Sequence, residues 1–403
     1  MYTGIKEAKI LIPNVEDYSS WAVIACDQFT SEPEYWKQLE KEVANKPSAL
    51  NVVYPEIYLK DRPEERIAKI NKTMQEYLEN GIFRPLDEGF VLTIRSTPFV
   101  EKRVGLIACI DLDEYDFAKG SKPLIRATEG TIEERIPPRL KIRKDAPLEF
   151  PHVMVLIDDE KREIIEDLYA RKEEFEKIYD FTLNMGGGHI EGYYIPKSEN
   201  VIEKFSSLLD EERLIKKYGK NDKFAFAVGD GNHSLATAKA HYNNVKNSTQ
   251  NADEISKYAL VEIVNIYDEG IYFEPIYRWV KGVDKQKFLS LFASSINATC
   301  EVYNGKDFTS YNGGELPESI KNVDEFISDY INKFGGEVDY IHGKENLKNL
   351  VDGDSNSVGI LFDKLDKKDL FRFVSNNGAL PRKTFSMGEG VEKRYYLEGR
   401  KIK

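Results

Sequence analysis

Short continuous apolar runs alternate along this chain with stretches whose apolar residues recur at helical spacing. The runs at 21–26, 90–95, 151–157, 224–228 and 259–267 have the length and β-branched content of buried strands. Residues 90–95 and Arg103–Asp111 face each other across a short polar turn at 96–102, which predicts a hairpin. A second hairpin is predicted over 181–196, around Asn184 to His189 with three successive glycines between them. Ile67, Ile70, Met74, Tyr77 and Leu78 fall on one helical face, and Pro63 suits a first turn, so a helix is predicted over Pro63–Glu79. Pro33 marks another helix start. Further helices are predicted over 161–179, 234–242, Lys285–Ser295 and 323–334, with strands at 340–342 and 358–362.

The pattern is most informative between Lys223 and Tyr242. An apolar run ends in Gly229-Asp230-Gly231-Asn232-His233-Ser234, and good helix formers follow at once. A strand that turns directly into a helix aims the first backbone N–H groups of that helix into the turn, where an anion can sit. Around that point lie a carboxylate, an amide, an imidazole and a hydroxyl. The plain alternative is a tight Asp-Gly turn with Asn232 or Ser234 as helix cap and His233 as a buried hydrogen bonder.

Composition narrows the function classes. The 403 residues are 41% hydrophobic and 31% charged, which gives a folded chain with ample core and room for two or three domains. A formal charge of −12 argues against electrostatic binding to nucleic acid or anionic membrane. Cys26, Cys109 and Cys300 are far apart and form no Cys-x-x-Cys pair, so reduced packing thiols and a cytoplasmic setting are expected. No leader-like start and no long apolar span is evident.

Other polar constellations are weaker. Thr128-Glu129-Gly130-Thr131 precedes Arg135 and Arg139, and Thr131 with Glu134 has the spacing of a capping box. His189 follows the three glycines of the second hairpin, where a flexible turn and a phosphate cradle are both open. Arg278, in Glu-Pro-Ile-Tyr-Arg, and Lys383, beside Pro381, are possible anion contacts or plain surface charges. The Walker-type phosphate loop and the Gly-x-Gly-x-x-Gly dinucleotide fingerprint are both missing.

The box Gly229-Asp230-Gly231-Asn232-His233-Ser234-x-x-Thr237-Ala238 resembles the Ala-Asp-Gly-His-His-Arg-x-x-Thr-Ala box of an uncharacterised family often labelled SpoOJ/ParA/ParB/RepB-like, or domain of unknown function 1015. That family is similar to the ParB/sulfiredoxin-like superfamily. Asn232 replaces the first His and Ser234 the Arg. Three further stretches are similar to family boxes: Thr128-Glu129-Gly130-Thr131 with its basic helix, Pro275-Ile276-Tyr277-Arg278, and Pro381 to Phe385. Asp27 is the nearest equivalent of a family Asp after the first strand.

The resemblance implies an α/β (α+β) fold, with a central ParB/sulfiredoxin-like mixed domain at 123–268, carrying the box, flanked by α/β regions at 1–122 and 269–403. Whether these pack as three domains or two is left open by the sequence. Superfamily members include free serine kinases, nucleotide-binding DNA partners and sulfiredoxins. The leading expectation is therefore a nucleotide-dependent small-molecule phosphotransferase, of the free L-serine kinase type, using ATP or ADP with Mg2+. Its alternatives are a non-catalytic nucleotide- or metabolite-binding protein and a ParB-like DNA partner.

Under that implication Glu129, Asp230 and His233 are the catalytic candidates. Glu129 orients or deprotonates the substrate hydroxyl, and Asp230 holds Mg2+ or the substrate amine. Gly229, Gly231, Asn232, Ser234, Thr131, Arg135, Arg139, Arg278, Lys383 and His189 are the candidates for holding the nucleotide. A small-molecule substrate and a nucleotide are the expected partners, without nucleic acid or membrane, and a homodimer is compatible with the sequence.

Overall fold

The computed structural model describes residues 2–59, 61–118, 120–248 and 255–403. It is a mixed α/β fold of the α+β kind, divided into two compact units. The first comprises residues 1–271, 374–378 and 389–403, and the second residues 272–373 and 379–388.

An 11-stranded sheet forms the first unit. Its central path runs Glu176–Thr182, His189–Pro196, Phe83–Ser96, Arg103–Asp111, Tyr258–Asn265, Met154–Ile157, Phe226–Asp230, Ile125–Ala127 and Tyr115–Asp116. Most neighbours are antiparallel, but Tyr258–Asn265 runs parallel to Met154–Ile157, and Ile125–Ala127 runs parallel to both Phe226–Asp230 and Tyr115–Asp116. Because side chains alternate across a strand, the central strands feed two cores at once. Val91, Ile107 and Leu260 pack on one face with Trp21, Trp36, Ile70 and Met74. Leu92, Leu106, Val261, Phe226 and Val228 pack on the other, with Leu168, Phe205 and Leu235.

The helix Pro63–Glu79 occupies its predicted bounds, with Pro63 in the first turn and Ile70 and Met74 inward. Both predicted hairpins are present. Two predictions fail. Residues 21–26 supply only the strand Val23–Ile24, because Trp21 closes a one-turn helix capped by the Asp17 carboxylate. Residues 161–179 yield only the helix Ile165–Ala170, since Glu176–Thr182 pairs with His189–Pro196 and burial of Ile178 and Tyr179 outweighs local helical spacing.

The C-terminal segment returns to the first unit. Tyr395–Tyr396 pairs with Val23–Ile24, and Arg400–Lys401 with Leu148–Glu149. The second unit is an antiparallel sheet ordered Phe308–Tyr311, Cys300–Tyr303, Val358–Leu361, Phe273–Lys281, Glu337–His342, with Phe385–Met387 paired to Phe273–Lys281. Helices Lys285–Ser295 and Leu316–Phe334 bury Phe288, Phe292, Ile320 and Ile327 against it.

Candidate functional site

The strand Phe226–Asp230 and the helix Asn232–Ser248 are joined by Gly231 alone. Pairing with Met154–Ile157 slips between Val228 and Asp230, which makes Gly229 the extra residue of a bulge. Gly231 has φ +80, and a Cβ there would lie 3.0 Å from the Val153 Cα. Gly231 is therefore demanded by the backbone. The first helical bond runs from the Leu235 N–H to the Gly231 carbonyl at 3.0 Å, so the N–H groups of Asn232, His233 and Ser234 belong to the first turn, ahead of the intrahelical ladder.

Parallel pairing brings a second chain end to this turn. Ala127 is in register with Val228, and Glu129 and Asp230 each follow that pair by two residues, Glu129 beyond the end of its strand. Carboxyl ends of neighbouring parallel strands are where ligands of open α/β sheets bind. The Glu129 segment is pinned at two points. Thr128 donates its hydroxyl to the Val228 carbonyl at 2.6 Å, and the Ile132 N–H donates to His233 Nε2 at 3.2 Å. An accepting Nε2 makes His233 a neutral imidazole with its proton on Nδ1. Thr131 does not cap the following helix. Its Oγ1 and the Asn232 Oδ1 are buried without a hydrogen-bond partner, on the two segments that His233 ties together.

Asp230 receives the Gly231 N–H on Oδ1 at 2.9 Å and the Lys393 ammonium near Oδ2 at 3.3 Å. Lys393 is only 8% exposed, and the chain around it is clamped. Arg95 donates to the carbonyls of Val391, Glu392 and Lys393, while Arg394 pairs with Glu262 and Glu398 at 2.8 and 2.5 Å. A cation is thus delivered to Asp230 by a segment from the far end of the sequence.

Ser234 turns to the other side of the helix start, where its Oγ lies 3.2 Å from His152 Nε2. Asp27 Oδ2 is 3.9 Å from the same nitrogen. Burial raises the Asp27 pKa, but the charges of His152 and Lys393 and a Gln28 hydrogen bond outweigh it, and the carboxyl is held below its usual range. Burial pushes the three thiols up, Cys26 and Cys300 to about 12 and Cys109 to about 11, so they are packing groups.

The remaining candidates lie elsewhere or are already engaged. Arg135 is exposed in a short turn, and Arg139 is ion-paired with Glu56. Arg278 belongs to the second unit and is fully buried. Its N–H groups serve the Asp324 carboxylate and the carbonyls of Ile276, Arg382 and Lys383, so no donor remains for an anion. Lys383 is in the second unit as well. His189 sits on an outer strand with Nε2 2.8 Å from Asp180, and four strands of the sheet separate its strand from Phe226–Asp230. Asp180, His189 and Glu191 could share a metal ion, but the Lys177 ammonium already lies 2.7 and 3.2 Å from the two carboxylates.

Sequence reasoning missed Lys393, His152, Tyr396 and the clamp residues Arg95 and Arg394. The basic pair Lys393-Arg394 before two tyrosines was the available signal. Among the described residues no helix is long and apolar enough to cross a membrane.

No curated protein sequence matches the chain. Similar solved structures include a conserved hypothetical protein from Pyrococcus furiosus, 13% identical with a TM-score of 0.37, over 73% of this chain and 95% of that one. A free serine kinase in complex with AMP is 10% identical with a TM-score of 0.42, over 73% and 92%. A free serine kinase mutant in complex with ADP is 11% identical with a TM-score of 0.43, over 76% and 98%. Residues 9–366 match the family described as "Protein of unknown function (DUF1015)". That match runs through most of both units, and the chain belongs to the DUF1015 family.

Proposed function

We propose that the first unit is a nucleotide-dependent phosphotransferase acting on the hydroxyl of a small molecule, with L-serine as the leading acceptor. The observation that carries this reading is the pair of buried, unpartnered oxygens, Thr131 Oγ1 and Asn232 Oδ1, beside a helix N-terminus. Such atoms call for an explanation, and two of them flanking a helix start are suited to a bound anion or water. The Thr131 hydroxyl donates to a phosphate oxygen, and the Asn232 amide presents either its oxygen or, flipped, its NH2. Resemblance of the surrounding box to the ParB/sulfiredoxin-like superfamily supports the same assignment.

Glu129 takes the acceptor hydroxyl proton as the oxygen bonds to the terminal phosphorus, and the shortened nucleotide leaves with the bridging oxygen. Lys393 and the helix N-terminus compensate the charge that develops. Asp230 would supply an oxygen ligand to Mg2+ in place of its contact with Lys393, and the ion when bound would neutralise phosphate charge. A second reading, non-catalytic binding of a nucleotide or metabolite, is favoured by one observation. Arg139 and Arg278 are committed to Glu56 and Asp324, which leaves fewer cations for phosphoryl transfer.

The test is phosphorus NMR of the protein with Mg2+, L-serine and ATP or ADP, with Glu129→Gln in parallel. A phosphomonoester signal from wild type alone is expected. Equal signal from the variant removes Glu129 from its role. Nucleotide binding without turnover, measured by calorimetry, selects the second reading, and no nucleotide binding overturns both nucleotide-based readings.

A further inference from the structure

Ser234 also borders a cavity of about 170 Å³ inside the first unit. Its walls are mainly apolar, from Val53, Met74, Ile142, Phe150, Leu235 and Leu260. The charged side chains on the wall are engaged in ion pairs, Arg139 with Glu56 and Arg143 with Glu149, which Arg400 also contacts. An ionic guest would lose its hydration against the mainly apolar remainder of the wall.

One end of the cavity is polar. Cys26, His152, Ser234 and Tyr396 meet there in a single hydrogen-bonded chain. Tyr396 donates its hydroxyl proton to Cys26 Sγ at 2.9 Å, and its oxygen lies 2.7 Å from His152 Nδ1. Ser234 Oγ lies 3.2 Å from His152 Nε2 and ends this chain at the cavity. Its hydroxyl can both donate and accept, so it is the group there to which a guest hydroxyl can bond.

We propose that this cavity binds a small, uncharged, largely apolar alcohol whose hydroxyl forms a hydrogen bond with Ser234. A cavity of about 150 Å³ accommodates a benzene ring, so the guest has the size of a single ring or a branched aliphatic group. The inference rests on the apolar walls and the hydroxyl at their polar end and does not depend on phosphoryl transfer.

The probes are benzyl alcohol and toluene, titrated into the full chain with 13C-methyl methionine labelling. Met74 lines the cavity and Met387 lies in the second unit, so the Met74 methyl signal should shift on titration and the Met387 signal stay in place. Ala238→Leu, which adds carbon to the wall, should weaken both probes at least about tenfold and lower the melting temperature, because Ala238 is packed in the core. Ser234→Ala should weaken benzyl alcohol about fivefold, the worth of one net hydrogen bond, and leave toluene within about twofold. An unmoved Met74 signal for both probes overturns the proposal, whether or not Ala238→Leu folds. Equal losses of the two probes in Ser234→Ala overturn the assigned hydroxyl contact.

Discussion

Gly231→Ala tests the junction on which the candidate site is built. Two costs are separable. At φ +80 a Cβ is disfavoured by about 1–2 kcal/mol whatever surrounds it. The added methyl would also lie 3.0 Å from Val153 Cα and 3.1 Å from Val153 Cγ2. Val153 is held in place, because its carbonyl accepts the Glu262 N–H at 3.0 Å in the middle of the sheet. Relief must come from backbone displacement, at about 1–3 kcal/mol.

Gly219 is the control. It closes the helix Glu211–Tyr218 with φ 76, and nothing lies within 4 Å of its added Cβ. Gly219→Ala should lose about 1–2 kcal/mol and Gly231→Ala about 2–5 kcal/mol. Urea unfolding followed by tryptophan fluorescence reads the first unit, where Trp21 and Trp36 are fully buried, once Trp279 in the second unit is replaced by Phe. Equal losses at the two glycines would refute the argument that the Asp230 turn is pressed against a rigid strand.

Arg394→Gln should cost about 3–5 kcal/mol in the same assay, because it strands the buried carboxylates of Glu262 and Glu398; a loss below about 1 kcal/mol would contradict the clamp. Arg278→Met should destabilise the second unit by a similar amount through the stranded Asp324 carboxylate and carbonyls, read from the Trp279 signal with Trp21 and Trp36 replaced. Burial, with the nearby charges of Arg143 and Lys403, lowers the His241 pKa from 6.5 to about 4. The unfolded chain then takes up the proton first as pH falls, so stability is full above about pH 6.5 and is lost toward pH 4, by up to about 3 kcal/mol. His241→Gln should flatten melting temperature against pH across that window, and an unchanged slope would remove His241 as the cause.

Local pattern was enough wherever one stretch of chain satisfied itself. Helix Pro63–Glu79, the hairpin pairing of Arg103–Asp111 with its predecessor, and the strand-turn-helix at Gly229 to Ser234 all follow from spacing and from glycine's tolerance of positive φ. Where two stretches competed, pattern misled. Residues 161–179 have helical spacing, yet Ile178 and Tyr179 gain more by pairing in the sheet.

The sequence by itself determined the mixed α/β character, the reduced thiols, and the polar box with its candidate residues Asp230, Asn232, His233 and Ser234. Those properties depend on residue type and near neighbours. Only the tertiary structure decided which distant groups meet them. The parallel register sets Ala127 against Val228, two residues before Glu129 and Asp230, and Arg95 and Arg394 carry Lys393 to the Asp230 carboxylate. Arg278, similar to a family box in sequence, is consumed by Asp324 and backbone carbonyls. A guanidinium has the same charge and the same donors in any sequence. Whether it serves a ligand or the fold is settled by which acceptors the folded chain closes around it.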